Sequence, residues 1–147
     1  MDSITLKVEK LSHCPSLPQY QTEGSSGMDL CAAISEAITI KPMERMLVPT
    51  GIKIEIPLGY EAQVRPRSGL SIKHGITLIN CVGTIDADYR GEVCVPLINL
   101  SDEPFTINPC DRIAQMVIAP VHKAKLDVVM ELCSTKRSSG GFGSTGV

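Results

Sequence analysis

Apolar residues in this chain recur at alternate positions or in short unbroken runs, and almost nowhere at the three-and-four spacing of a helix. Segments 4–11, 28–33, 37–40, 46–57, 60–64, 77–80, 92–100, 104–107 and 113–121 carry this pattern, and 125–132 is a last candidate. Pro, Gly, Asn and Asp separate them. Short strands at such intervals predict an all-β fold, a single-domain β-sandwich or jelly-roll-like barrel. Prolines at the ends of runs agree, Pro42, Pro57, Pro66 and Pro109 among them, because proline is poorly tolerated inside a central strand. One short helix is expected over 68–73, with Ser68 as its N-cap and Gly75 near its end. No repeat and no long linker divides the chain. Residues 1–136 are expected to form the β-domain, with the Gly-rich segment 137–147 belonging to it as a flexible tail.

Composition narrows the partners. The 147 residues suffice for one real core. With 43% hydrophobic residues, no tryptophan and only 3% aromatics, that core must be built from Val, Ile, Leu, Ala and Met, which favours sheet. A net charge of −2 with interspersed signs leaves no basic stripe for a nucleic-acid polymer, whereas a small phosphorylated ligand needs only two or three arginines. The six cysteines form no C-x-x-C pair, so neither a zinc site nor a compact disulfide framework is suggested. The scattered His13, His74 and His122 read as surface or satisfied histidines. Segment 1–8 alternates polar and apolar residues, unlike a signal peptide, and no apolar run reaches membrane-spanning length. Thiols without a secretion signal point to an intracellular setting, cytoplasmic or, for a eukaryotic or viral source, nuclear.

Five segments concentrate polar chemistry. In 66–70, Arg67, Ser68 and Gly69 sit where a strand gives way to a helical turn. Free backbone N–H groups and a guanidinium there can meet an anion, although an ordinary capped turn uses the same residues. Segment 80–91 reads as strand, tight bend and return strand. The Asn80 amide offers a donor and an acceptor that match the edge of uracil, and Asp86 and Asp88 share one face if extended. One carboxylate can orient and deprotonate a water while the other pairs with Arg90 or Arg112. The alternative is a polar turn with Tyr89 packed across the sheet. Segment 111–115 leads into an apolar strand, with Arg112 in the usual place of a structural ion-pair partner and Gln115 able to reach a phosphate if it faces a cavity. Segment 27–30 puts Asp29 at a strand start. In the tail, Arg137, Phe142, Gly143, Ser144 and Thr145 supply a cation, a ring, small residues and hydroxyls, which a pure Gly/Ser linker would lack.

In this order the segments 27–30, 66–70, 80–91, 111–115 and 137–146 resemble the five motifs of the homotrimeric deoxyuridine triphosphate nucleotidohydrolases, the dUTPases. The likeness runs from near residue 15 onward. It implies a homotrimer with sites shared between subunits. It also implies Mg2+-dependent hydrolysis of dUTP to dUMP and pyrophosphate by water attack on the α-phosphorus, limiting uracil incorporation into DNA and supplying dUMP for dTMP synthesis. Asp86 matches the catalytic carboxylate. Asn80, Thr84, Ile85 and Cys94 match the uracil-reading surface, mostly through backbone groups, and Tyr89 the ring that packs on deoxyribose and excludes a 2′-hydroxyl. Arg67, Ser68, Gly69 and Gln115 match the phosphate contacts, and Asp29 the carboxylate that holds a magnesium-bound water rather than the metal. In the tail, Phe142 would stack on the base, Arg137 would act as an arginine finger, and Gly143, Ser144 and Thr145 would wrap the phosphates as a lid.

Two positions depart from the family pattern. Ser138 follows the tail arginine where members usually carry glycine, and Cys110 opens the fourth motif where glycine is common. A need for positive φ at Ser138 would make closure of the tail costlier, and at Cys110 a local change in turn geometry is expected rather than lost chemistry. Rival functions predict different chemistry. A dCTP deaminase on the same fold needs a further acid–base group at the cytosine amine and lacks this closing tail. A non-catalytic dUTP binder has no use for Asp86, and a structural β-sandwich binds no nucleotide.

Overall fold

The alternating runs form strands because each can turn one row of side chains inward and the other to solvent. In the computed structural model, which describes residues 3–143, the order is β1 (Lys7–Lys10), β2 (Met28–Cys31), β3 (Ile38–Ile40), β4 (Arg45–Glu55), β5 (Tyr60–Arg65), α1 (Ser68–His74), β6 (Ile76–Leu78), β7 (Gly83–Ile85), β8 (Glu92–Asn99), β9 (Phe105–Ile107) and β10 (Arg112–Pro120). One sheet runs β1-β4-β8-β6, a second runs β2-β10-β5-β7, and β3 with β9 makes a short ribbon. Each pairing is antiparallel. One aliphatic core takes Val48, Ile52, Val95 and Leu97 from the first sheet and Leu30, Ala62, Val64 and Met116 from the second. The all-β sandwich with a single short helix is therefore as the pattern predicted. No helix among the described residues is long and apolar enough to cross a membrane.

Three local expectations change. Segment 125–132 forms no strand, and its Leu126, Val128, Met130 and Leu132 are almost fully exposed, because no strand of the same chain lies beside them. Ser68 is already helical. The N-cap is Arg67, extended at φ −91° and ψ 127°, with no side-chain capping bond. Prolines also lie inside two central strands, Pro49 in β4 and Pro96 in β8. The carbonyl of Pro49 accepts from Ala33 N–H at 2.8 Å and that of Pro96 from Ile79 N–H at 3.0 Å, both residues outside the strands. A residue's N and C=O point to the same side of a strand, so each missing N–H faces a place where the neighbouring ladder has stopped. Gly75 ends α1 as anticipated, left-handed at φ 65°. Asn99, fully buried, donates to the carbonyls of Ile40 and Glu103 and accepts from Ser101, tying β8 to the β3–β9 ribbon with its amide satisfied.

Candidate active site

The second sheet gathers the first, second and fourth segments at one end. Gln115 on β10 lies level with Asp29 of β2 on one side and Arg65 of β5 on the other. Arg67 follows just beyond the end of β5. Its Nε lies 3.5 Å from Asp29 Oδ1, and Arg112 Nη1 lies 3.1 Å from Asp29 Oδ2. Arg67 Nη1 also donates to the Arg112 carbonyl at 2.8 Å, while Gln115 Nε2 donates to the Pro66 carbonyl at 3.0 Å. Gly27 packs closely on Gln115, since a Cβ there would stand 2.6 Å from Oε1 and displace that amide. The Asp29 side chain is 14% exposed, against 29% for Arg67 and 47% for Arg112. One carboxylate thus holds two guanidinia beside the exposed Ser68 and Gly69 that open α1.

The expected pairing of Arg90 or Arg112 with the Asp86 and Asp88 carboxylates is not formed. Arg112 is on Asp29 and Arg90 donates to the carbonyls of Ala87 and Tyr89. For Arg112 the reason is register. Strand β7 runs back along β5 with Ile85 opposite Ala62 and Gly83 opposite Val64, carrying Asp86 to the far end of β5. Arg67 lies five residues from Ala62, roughly 17 Å along an extended strand.

At that far end Asp86 is exposed, and among the described residues its carboxylate makes no hydrogen bond or ion pair. It borders a cleft of about 690 Å³ lined also by Leu58, Tyr60, Asp88 and Lys123. The Tyr89 N–H closes the turn onto the Asp86 carbonyl at 3.1 Å. Its hydroxyl donates to the Glu92 carbonyl at 3.0 Å, and its ring lies so close to Gly91 that no side chain fits there. Asn80 and Thr84 are exposed, Ile85 and Cys94 half-buried. Burial pushes the Cys94 thiol up, with the Glu92 charge adding to the effect.

The tail folds on itself. Arg137 Nε donates to the Gly140 carbonyl at 2.8 Å, and Phe142 and Gly143 are exposed. Ser144 and Thr145 lie outside the described residues. Both departures from the family pattern are left-handed, Ser138 at φ 46° and Cys110 at φ 69°. Among the described residues no group of three or more His, Cys, Asp and Glu side chains could hold a metal.

The dUTPase family profile matches residues 15–146 of the chain. The chain belongs to the dUTPase family. A deoxyuridine 5′-triphosphate nucleotidohydrolase of Syntrophotalea carbinolica is 55% identical over 146 residues, 99% of each chain. One from Finegoldia magna is 58% identical, covering 96% of this chain and 98% of its own. The Staphylococcus phage 80alpha dUTPase, solved with dUpNHpp, superposes with a TM-score of 0.88 at 28% identity, covering 99% of this chain and 100% of its own. A mutant dUTPase from phage phi11 of S. aureus, described as coordinating a structural Mg(II) ion, gives 0.80 at 25% identity over 89% of this chain and 100% of its own. All five segments that resemble dUTPase motifs fall inside the matched range. Sequence reasoning missed Arg112 as the partner of Asp29, which is 83 residues away, and the roles of Gly27 and Glu92. No spacing signal connects them.

Proposed function

We propose that this dUTPase-family chain hydrolyses dUTP to dUMP and pyrophosphate, the activity its relatives' names carry. The unpaired Asp86 carboxylate carries the reading, exposed beside a cleft at the motif position of the family's catalytic carboxylate. An oxygen of Asp86 takes a proton from water. The water oxygen bonds to the α-phosphorus, the bond from that phosphorus to its bridging oxygen breaks, and the electron pair leaves with pyrophosphate. Asn80, Thr84, Ile85 and Cys94 line the uracil position, and Tyr89 stands where a 2′-hydroxyl would fall. Arg67, with Ser68 and Gly69, binds phosphate oxygens, and Gln115 fixes the Pro66 carbonyl that precedes them.

The residues fit a cation that arrives with the nucleotide. No three-ligand cluster is present among the described residues, and the Asp29 oxygens keep lone pairs beyond their guanidinium contacts. When bound, Mg2+ neutralises phosphate charge, with Asp29 as its partner through water.

Asp86 and Arg67 sit at opposite ends of β5, so a working site takes Asp86 from one copy and the arginine cluster from another. The exposed apolar side chains of Leu126, Val128, Met130 and Leu132 favour the same conclusion, since an arm of this kind gains by packing on a neighbour. The assembly is a homotrimer. The tail closes over that shared site, bringing Arg137, Phe142, Gly143, Ser144 and Thr145. In the cell the reaction limits uracil incorporation into DNA and supplies dUMP for dTMP synthesis. The test is pyrophosphate release from dUTP, dTTP, dCTP and UTP with Mg2+. A strong preference for dUTP is expected, and equal rates would overturn the reading.

A further inference from the structure

The Tyr89 ring stands on a support that reaches outside the five motifs. Its hydroxyl donates to the Glu92 carbonyl at 3.0 Å, at the first residue of β8. The Glu92 side chain is held in turn. Oε1 accepts the Gly51 N–H at 2.8 Å and contacts His13 Nε2 at 2.6 Å, with Glu92 only 25% exposed. These contacts fill the irregularity where the β4–β8 register shifts between Pro49 and Lys53. The loop carrying His13 is itself fixed to that point. Leu11 N–H donates to the Gly51 carbonyl at 2.9 Å, Cys14 N–H donates to the Leu11 carbonyl at 3.1 Å, and Cys14 is buried. Gly51, at φ 74°, leaves room for the Cys14 backbone, which a Cβ at that position would strike. A short chain of contacts therefore runs from the 11–14 loop through the Glu92 carboxylate to the start of β8 and the Tyr89 hydroxyl.

We propose that His13, acting through Glu92, is a positioning residue for Tyr89 and so sets how strictly the site refuses a 2′-hydroxyl. The inference rests on dUTP being the substrate and Tyr89 meeting its sugar. Discrimination against one added hydroxyl depends on a ring held to within a fraction of an ångström. The Glu92 carboxylate is the joint that holds the start of β8, and His13 is the side-chain contact that spans from the N-terminal loop to it. Glu92 and Cys94 also alternate onto one face of β8, so the same carboxylate borders the residue matched to uracil reading.

The test compares kcat/KM for dUTP with that for UTP in the full-length protein, His13→Ala and His13→Gln, with melting curves to check folding. Losing a hydrogen bond to a charged group two residues removed from the sugar should lower the dUTP/UTP ratio about three- to tenfold in His13→Ala. The kcat for dUTP should stay within about twofold, because Asp86 is untouched. His13→Gln keeps a donor and should restore most of the ratio. An unchanged ratio in His13→Ala overturns the proposal, as does a His13→Gln ratio equally low. A wild-type protein that does not prefer dUTP over UTP overturns the substrate assignment itself. Preference kept in wild type and in His13→Ala overturns only the role of His13.

Discussion

Replacing Asp29 by Asn removes the charge that two guanidinia share while keeping the shape of the side chain. The separations are 3.5 Å to Arg67 Nε and 3.1 Å to Arg112 Nη1. At an effective dielectric of about 20 each pair is worth about 5 kcal/mol gross, or about 10 kcal/mol together. Most of this does not survive. Arg112 is 47% and Arg67 29% exposed, so solvent screens both, and desolvating Asp29 at 14% exposure consumes more. A net loss of about 2 kcal/mol remains, equivalent to about 30-fold. Asp29→Asn leaves the guanidinia repelling each other and Arg67 held only through the Arg112 carbonyl. Steady-state kinetics should show kcat/KM for dUTP falling about 30-fold, chiefly through KM because phosphate binding is what suffers. Arg112→Met, which removes the more exposed pair, should cost about threefold. Asp29→Asn kinetics within twofold of wild type would refute the reasoning.

Asp86→Asn should bind dUTP with nearly unchanged affinity, measured by calorimetry, and lose about a hundredfold or more in turnover; near-normal turnover would remove Asp86 from the role of base. Truncation after Lys136 should leave the melting temperature almost unchanged, because the tail's hydrogen bonds run within 135–140, yet abolish most activity. Full activity in that truncation would make the tail a linker. Ser138 is left-handed at φ 46°, so Ser138→Gly should relieve about 1 kcal/mol and lower KM for dUTP a few-fold, whereas a raised KM would show that the closed tail does not keep this conformation.

The fold was legible where alternation and burial coincide. Strands such as β4 and β8 announce themselves through Val48, Ile52, Ile54, Val93, Val95 and Leu97, each of which turns into the core. Segment 125–132 carries the same signal and is no strand, because alternation reports an apolar face and not which chain will cover it. Pro49 and Pro96, inside central strands, run against the rule for prolines for a related reason. Whether a proline is tolerated depends on where the adjacent ladder stops, and pairing between distant segments decides that. The site was legible as chemistry and illegible as geometry. Asp86, Arg67 and Asp29 stand out by type and order, yet the Arg112–Asp29 contact spans 83 residues and arises only when β10 pairs with β2. His13, 79 residues from Glu92, looked like any surface histidine for the same reason.

The central claim is that Asp86 and the Arg67 cluster act together only across chains, and mixing two inactive variants tests it. Asp86→Asn and Arg67→Met are each prepared alone, then unfolded and refolded together in equal amounts and assayed with dUTP and Mg2+. Random assembly makes about one site in four from an intact Asp86 of one copy and an intact Arg67 of another, so about a quarter of wild-type activity should return. If both residues serve the same site within one chain, every site keeps a defect, and the mixture will be no more active than its parts.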